Sequence, residues 1–573
     1  MTPSTRWSPL VIAIIVRAAS LFYLLVVHPL TVSPQGAFDT STSILLALSP
    51  TGTSDTSDKL AKALEPFVKW DNLYFAQIAV RGYQHEQELA FMPIWPLVMR
   101  WSGMAVQKLR LLLAVGSSTQ YGSSQTGALL GINDVVLGGV IVTNIVSVLN
   151  VVAFQKLTYR ITKNHRYTTL CAILYALHPA PAISSVPYTE PFYTLCTFLG
   201  SRLVLLTSGS NSSSSPNSSD LGHLDGPTFT SGVNLRSRLK RGRYGPTITR
   251  RRTKHLLLRT LGITCLMLSS GTRSLGVLNS VLIVWPLLVR LYEYRLRRGI
   301  FTTLRLALWA GIECILVGSP FAALQYYAYR AFCTPFTTSQ MLGHLHGDGK
   351  RNPSSDLNSN LMLARRPWCE KRIPLAYNYV QEHYWDVGFL RYWTPAQLPN
   401  FVLVVPILVA SIYGIYRYWQ LVFRRFTRSK TTTTVSSSSQ SRPASSRSRS
   451  RSKSDIDLDL DLDLQLRQTL WENPQTAPFF LIHTLTTLIL VFASHTQIAL
   501  RVSMGNPVLF WIVGAFVSSS SSNSSRKYRR GGGGGGGGGG RGRTARWARR
   551  GIVWSCTWGA VSLVLWAGFY PPA

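Results

Sequence analysis

The sequence is short of charge, and above all short of acid. Only 14% of its 573 residues are charged, with 24 Asp and Glu against 59 Lys and Arg. Soluble domains of that total length would need a far more charged surface, so a string of globules is excluded. Cysteine is sparse too: seven are scattered with no C-x-x-C pair, which excludes zinc-ribbon and thioredoxin-like sites. Cys171, Cys196, Cys265, Cys314 and Cys556 sit in apolar runs and read as packing residues. Cys333 and Cys369 fall in a long polar loop, where an oxidising compartment would pair them and a reducing one would leave two thiols.

What is abundant is apolar. The chain is 46% hydrophobic with a mean hydropathy of +0.12, the composition of a polytopic membrane protein. Its formal charge of +35 would suit nucleic acid if it were spread along the chain. Instead it is concentrated in blocks at 236–254, 290–298, 417–453 and 526–550, each between apolar segments. Loops held on the cytosolic side by the positive-inside rule have this pattern, and no nucleic-acid partner is expected.

A hydrocarbon core needs ~20 apolar residues per helix, fewer where neighbours shield it, and on that criterion the chain makes about eleven crossings. They fall at 9–30, 135–154, 168–177, 192–206, 255–268, 277–291, 301–324, 401–416, 477–493, 508–517 and 551–569. The first lacks a small-residue cleavage site and reads as an uncleaved span. The expected fold is all-α. Region 1–206 carries the first spans and the first luminal loop; 207–254 is a disordered basic insert; and 255–416 is a central membrane region with a luminal loop at 325–399. A second disordered insert, 417–473, precedes a pair of spans at 474–517; a Ser/Gly/Arg-rich insert at 518–550 precedes the last helix at 551–573.

Counting crossings places every basic insert on the cytosolic side. Asp71, Glu190, Arg273, Asp386, His495 and Arg501 fall on the luminal side. The sequons at Asn211, Asn217 and Asn523 lie in the inserts and are expected to be unglycosylated. Residues 73–80 and 89–98 are expected to form short helices along the luminal surface, with Trp95 and Trp101 at interfacial depth. H-P-A-P-A-I-S-S-V-P-Y-T-E-P, residues 178–191, is expected to make a luminal turn.

The inserts hold three decoys. Residues 446–454 alternate Ser with Arg or Lys as some RNA-binding tails do, but they lie between spans and read as a solvated linker. Asp455, Asp457, Asp459, Asp461 and Asp463 mimic a D-x-D metal motif, yet no aromatic or basic phosphate partner accompanies them. The ten glycines at 531–540 are a flexible linker. No constellation in the chain calls for a metal or a cofactor.

Residues 69–96 have no low-complexity explanation: they set Asp71, Glu86 and Glu88 among Trp70, Tyr74, Phe75, Tyr83, Phe91 and Trp95. Carboxylates among aromatics suit a sugar site. On spacing alone Asp71 is equally a helix N-cap, for which Asp is favoured. The pattern W-D-N-L-Y-F-x-x-I-A-x-x-G-Y resembles the first luminal loop of the GPI mannosyltransferase 2 (PIG-V) family. Four later stretches resemble that family in the same order: V-P-Y-T-E-P around Glu190, G-T-R-S-L-G around Arg273, P-W-C with Y-V-Q-E-H-Y-W-D-V-G-F-L-R-Y-W between 367 and 393, and H-T-Q-I-A-L-R-V-S at 495–503. Leu275, Pro191 and Met92 depart from the family pattern, where Asn, Ser and Phe are usual.

The resemblance implies an endoplasmic-reticulum enzyme of the GT-C class. Such an enzyme moves mannose from dolichyl phosphate mannose to the first mannose of a GPI precursor, making the second, α-1,6-linked mannose. The donor is β-linked and the product α-linked, so a single inverting displacement suffices, unlike the paired carboxylates of glycosidases. The resemblance makes Asp71 the base. Arg273, Arg391, His495 and Arg501 become candidates for the departing phosphate, with interfacial anchoring the alternative. Glu86 and Glu190 would orient sugar hydroxyls. Trp70, Tyr83, Tyr384 and Trp385 would stack on sugar faces, or belt the membrane interface instead. The implied partners are the two lipid substrates and the membrane, with room for a small membrane partner subunit that no motif identifies. A lipid or solute transporter and another dolichyl-phosphate-mannose-dependent mannosyltransferase are the rival readings. Transporters usually set ionisable groups in mid-span, whereas these gather in loops on one face.

Overall fold

The computed structural model describes residues 8–27, 55–116, 130–208, 246–294, 300–333, 366–431, 470–471, 473–529 and 539–568. Among these residues all secondary structure is helical, and the chain is an all-α polytopic membrane protein. In order the α-helices are α1 Pro9–Phe22, α2 Asp55–Leu64, α3 Asp71–Arg81, α4 Ile94–Gly116, α5 Ile132–Thr162, α6 His165–Ala176, α7 Thr189–Ser208 and α8 Pro246–Thr272. They continue as α9 Val281–Tyr294, α10 Ile300–Phe332, α11 Ala376–His383, α12 Leu398–Thr431, α13 Ala477–Phe492, α14 Ala499–Val502, α15 Pro507–Arg529 and α16 Gly539–Ala567.

Among the described residues, each apolar run expected to cross the membrane is helical over most of its length. Among the described residues, five helical stretches are long and apolar enough to cross alone: Pro9–Val27, Ile132–Thr162, Thr303–Phe332, Pro395–Arg424 and Pro474–Phe492. A sixth arises if Ala499–Gly505 and Pro507–Ser518, bent by 89° at their junction, count as one broken span. Pro507 has no N–H to continue the preceding helix, and the Asn506 side chain accepts the Val508 N–H at 3.2 Å instead. Small residues let the helices approach closely, as bilayers favour. Where α4 meets α5, a Cβ on Gly138 would stand 2.6 Å from the Gly103 nitrogen.

The helices run further than the apolar runs do. α8 begins and α12, α15 and α16 reach inside the basic inserts. α10 continues to Phe332, and α11 forms within the stretch expected to be a long loop. The sequons at Asn211 and Asn217, the Ser/Arg run at 446–454 and the alternating aspartates at 455–463 lie outside the described residues.

One surface expectation is overturned. Trp95 is fully buried, its indole N–H donating to the Pro187 carbonyl at 2.8 Å, and it sits at the start of a 23-residue helix. Trp101 on the same helix is 62% exposed. A turn is present at 181–187, within the stretch expected to turn, and every residue of 178–191 is buried. α6, with 12 residues, reaches only about 18 Å, well short of the ~30 Å hydrocarbon core, so the following chain must continue inside the protein.

Pro179, Pro181 and Pro187 prevent a helix there, which leaves carbonyls that need donors. The neighbours supply them. Arg17 of α1 donates to the Pro181 carbonyl at 2.8 Å and to Ser185 Oγ at 2.9 Å. Ser147 and Asn144 of α5 donate to the carbonyls of Ser184 and Ser185 at 2.8 and 2.9 Å. This irregular segment delivers Tyr188, Thr189 and Glu190 to the candidate site.

Candidate active site

Asp71 is the first residue of α3, and the capping position belongs to Trp70, which makes no side-chain cap hydrogen bond. Trp70 has φ of +56°, a left-handed conformation that costs a non-glycine residue about 1–3 kcal/mol. Anchors on both sides hold it. Phe67, Val68 and Lys69 are buried, and the Asn72 amide donates back to the Phe67 carbonyl at 2.8 Å. The result turns Trp70 outward, 38% exposed, and aims Asp71 inward.

Four expected site residues, from four distant parts of the chain, meet there. Arg501 on α14 donates through Nη2 to Asp71 Oδ2 at 2.9 Å and through Nε to Glu190 Oε1 at 3.0 Å. Arg273 donates to the same Glu190 oxygen and to Thr189 Oγ1 at 3.3 Å. The Arg501 guanidinium lies over the Tyr188 ring, 4.8 Å from its centroid. Two cations and two carboxylates thus alternate. Glu190, with its side chain 2% exposed, carries the burial; Asp71, at 26%, is the carboxylate open to a substrate. Burying Glu190 is tolerable because two guanidiniums face it.

A second cluster forms around Glu86. Its Oε1 accepts from the Trp368 indole, its Oε2 from the Tyr384 hydroxyl at 3.1 Å, and Arg366 Nε stands 3.7 Å away. An aromatic wall lies between the two clusters. Tyr74 stacks on Phe91 at 5.0 Å, and Trp385 meets both edge-on at 5.9 and 6.2 Å. Burial, then Asp71 and then Glu88 push the Tyr74 phenol up. Burial and Glu86 act likewise on Tyr384, whose ring is 39% exposed.

The remaining expected residues are placed apart from the Asp71 chain. The Tyr83 hydroxyl donates to the Phe91 carbonyl at 2.7 Å and its ring meets Tyr327. His495 Nε2 pairs with the Trp385 carbonyl at 2.8 Å while its ring stacks on Tyr392 at 4.9 Å. Arg391 makes exposed pairs with Glu382 at 2.8 Å and Asp386 at 3.5 Å. Glu88 is fully buried and accepts the backbone N–H groups of Gln84 and His85 at 2.6 and 3.0 Å, shaping the loop that presents Glu86. Leu275 packs beside the cluster that includes Leu500 and Val502, an apolar setting that suits leucine.

Sequence reasoning did not single out Tyr188, Arg366 or Trp368. Tyr188 and Trp368 lie inside V-P-Y-T-E-P and P-W-C, so the motifs contained them without revealing their partners.

Cys333 and Cys369 form a disulfide across a separation of 36 residues, placing Trp368 beside Glu86. For a loop of that length, loop closure contributes about 4 kcal/mol. Non-reducing peptide mapping is expected to recover the linked pair. Cys333→Ser should lower the thermal stability of the purified protein and weaken activity more than a surface serine would.

Comparison with known proteins places these motifs in context. The family described as Mannosyltransferase (PIG-V) matches residues 10–573. GPI mannosyltransferase 2 of Cryptococcus neoformans var. neoformans serotype D (strain B-3501A) is 28% identical over 537 residues, covering 94% of this chain and 92% of its own. GPI alpha-1,6-mannosyltransferase 2 of Rattus norvegicus is 26% identical over 353 residues, covering 61% of this chain and 57% of its own. Among solved structures, the apo oligosaccharyltransferase of Archaeoglobus fulgidus aligns with all of this chain and 57% of its own, at 9% identity and a TM-score of 0.43. With the family match running almost from end to end, the chain belongs to the PIG-V family of mannosyltransferases.

Proposed function

We propose that the chain transfers mannose from dolichyl phosphate mannose to the first mannose of a GPI precursor, in the endoplasmic-reticulum membrane, forming an α-1,6 linkage. The observation that carries the reading is the convergence of Asp71, Glu190, Arg273 and Arg501 into one ion-paired chain. As the acceptor 6-hydroxyl oxygen bonds to the mannose anomeric carbon, the bond from that carbon to the phosphate oxygen breaks. Asp71 takes the hydroxyl proton. A carboxylate with a reference pKa of ~3.9 does this only as the new bond forms, when the alcohol has become acidic.

Dolichyl phosphate leaves with the bonding electrons and needs no general acid. Arg273 and Arg501, fixed by Glu190, supply positive charge close to the point where that phosphate departs. Glu86, Tyr384 and the exposed face of Trp70 suit the hydroxyls and faces of the acceptor sugars. The about eleven crossings, GT-C architecture and luminal placement of the site belong to the same reading. The Cys333–Cys369 disulfide supports a luminal loop, since such bonds persist in oxidising compartments.

The test is expression in cells lacking the second GPI mannosyltransferase, followed by analysis of GPI intermediates. The one-mannose intermediate is expected to disappear and surface GPI-anchored proteins to return. Continued accumulation, with the protein folded and correctly located, would overturn the assignment.

A further inference from the structure

The end of the last helix meets the segment carrying Asp71, at two successive residues. Lys69 is 2% exposed, and its Nζ donates to the Ala567 carbonyl, the last residue of α16, at 2.8 Å. Helix C-termini leave carbonyls without partners and carry the negative end of the helix dipole, so an ammonium group there is favourable. Burying a lysine is still costly, and a methionine would fill a similar volume without that cost. A lysine here therefore makes sense as a fixing point more than as filler.

Trp566, fully buried, donates its indole N–H to the Pro66 carbonyl at 2.7 Å. Its ring meets Tyr188 edge-on at 5.4 Å. Tyr188 carries the Arg501 guanidinium on its face, and Arg501 binds Asp71. Asp71 is thus held twice from α16: along the backbone through Lys69, two residues before it, and through its carboxylate by way of Trp566, Tyr188 and Arg501. The strained Trp70 lies between the two holds, and its φ of +56° would relax if Lys69 released.

We infer that the C-terminal end of the last helix braces the catalytic aspartate, and that Lys69 and Trp566 are positioning residues for mannosyl transfer. The inference rests on Asp71 being the base. A shift of about 1 Å in a reacting group can cost about 100-fold in rate, which is the scale of effect such a brace controls.

The test uses the full chain, assayed for transfer from dolichyl phosphate mannose in membranes of the complemented cells, with two variants. Lys69→Met removes the donor to Ala567. Trp566→Phe keeps a ring against Tyr188 but loses the bond to Pro66. Each is expected to lower kcat by about 10- to 100-fold, with KM for the donor within about twofold of the parent. Protein abundance and thermal unfolding should stay near parental in at least one of them. Unchanged kcat in both, a raised KM with kcat intact, or failure of both variants to fold would overturn the brace. An inactive parent chain would overturn the mannosyltransferase reading and the brace with it, whereas an active parent with both variants fully active removes the brace alone.

Discussion

Asp71→Asn is expected to lower mannosyl transfer by about 10² to 10⁴-fold, the range spanned by loss of a positioned general base. The substitution isolates chemistry from structure unusually well. Asparagine matches aspartate in size, its amide oxygen can still accept from Arg501 Nη2, and it tolerates the first position of α3. The side chain is 26% exposed, so its loss of charge leaves no fully buried cation stranded. Arg501 also keeps Glu190 as a partner at 3.0 Å. Folding and abundance should therefore stay near parental while kcat falls. A neutral amide cannot take the acceptor proton, and no other carboxylate of the network is comparably open, Glu190 being 2% exposed. Full transfer activity in the Asp71→Asn protein would remove Asp71 from the role of base.

How much of this was legible in the sequence depends on what kind of contact each residue makes. Asp71, Glu190, Arg273 and Arg501 are legible because each is an ionisable residue in a mixed motif beside an apolar run, where burial needs a reason. Their mutual pairing is not legible, since the four lie in separate motifs spread between positions 71 and 501 and nothing local fixes which carboxylate meets which cation. The helices follow apolar run length. The burial of segment 178–191 is not legible for a physical reason: prolines and serines mark surface turns in most proteins, and here their backbone is satisfied by Arg17, Asn144 and Ser147 from other helices. Trp95 misleads likewise, because an indole beside a span reads as interfacial until a buried carbonyl is found for its N–H. Lys69 shows the limit most clearly. Its partner is a backbone carbonyl 498 residues away, and backbone acceptors leave no mark on the sequence.

Arg501→Met is expected to be the most damaging single change, abolishing transfer and destabilising the protein by about 3–5 kcal/mol, the cost of breaking a buried ion pair by removing one partner. Arg501 joins Asp71 to Glu190: it binds Asp71 at 2.9 Å, Glu190 at 3.0 Å and the face of Tyr188 at 4.8 Å. Methionine fills the space but leaves Glu190 with Arg273 as its remaining cation in this network. Two further variants separate charge from geometry. Arg501→Lys keeps the charge and can keep the Tyr188 contact, but an ammonium cannot present the planar fork that reaches Asp71 and Glu190 together. It should fold near normally and lose about 10- to 100-fold in kcat through a misplaced Asp71. Adding Glu190→Gln to Arg501→Met removes the excess negative charge and leaves Asp71 and Arg273 one against one, so the double variant should unfold at a higher temperature than Arg501→Met alone yet remain inactive. Thermal unfolding of the three purified proteins, read beside their transfer rates, decides the matter. If Arg501→Met is as stable and active as the parent, the ion-paired chain is not what holds the site. If Glu190→Gln fails to restore stability in that background, the loss comes from the packing of the arginine stem and not from the uncompensated charge.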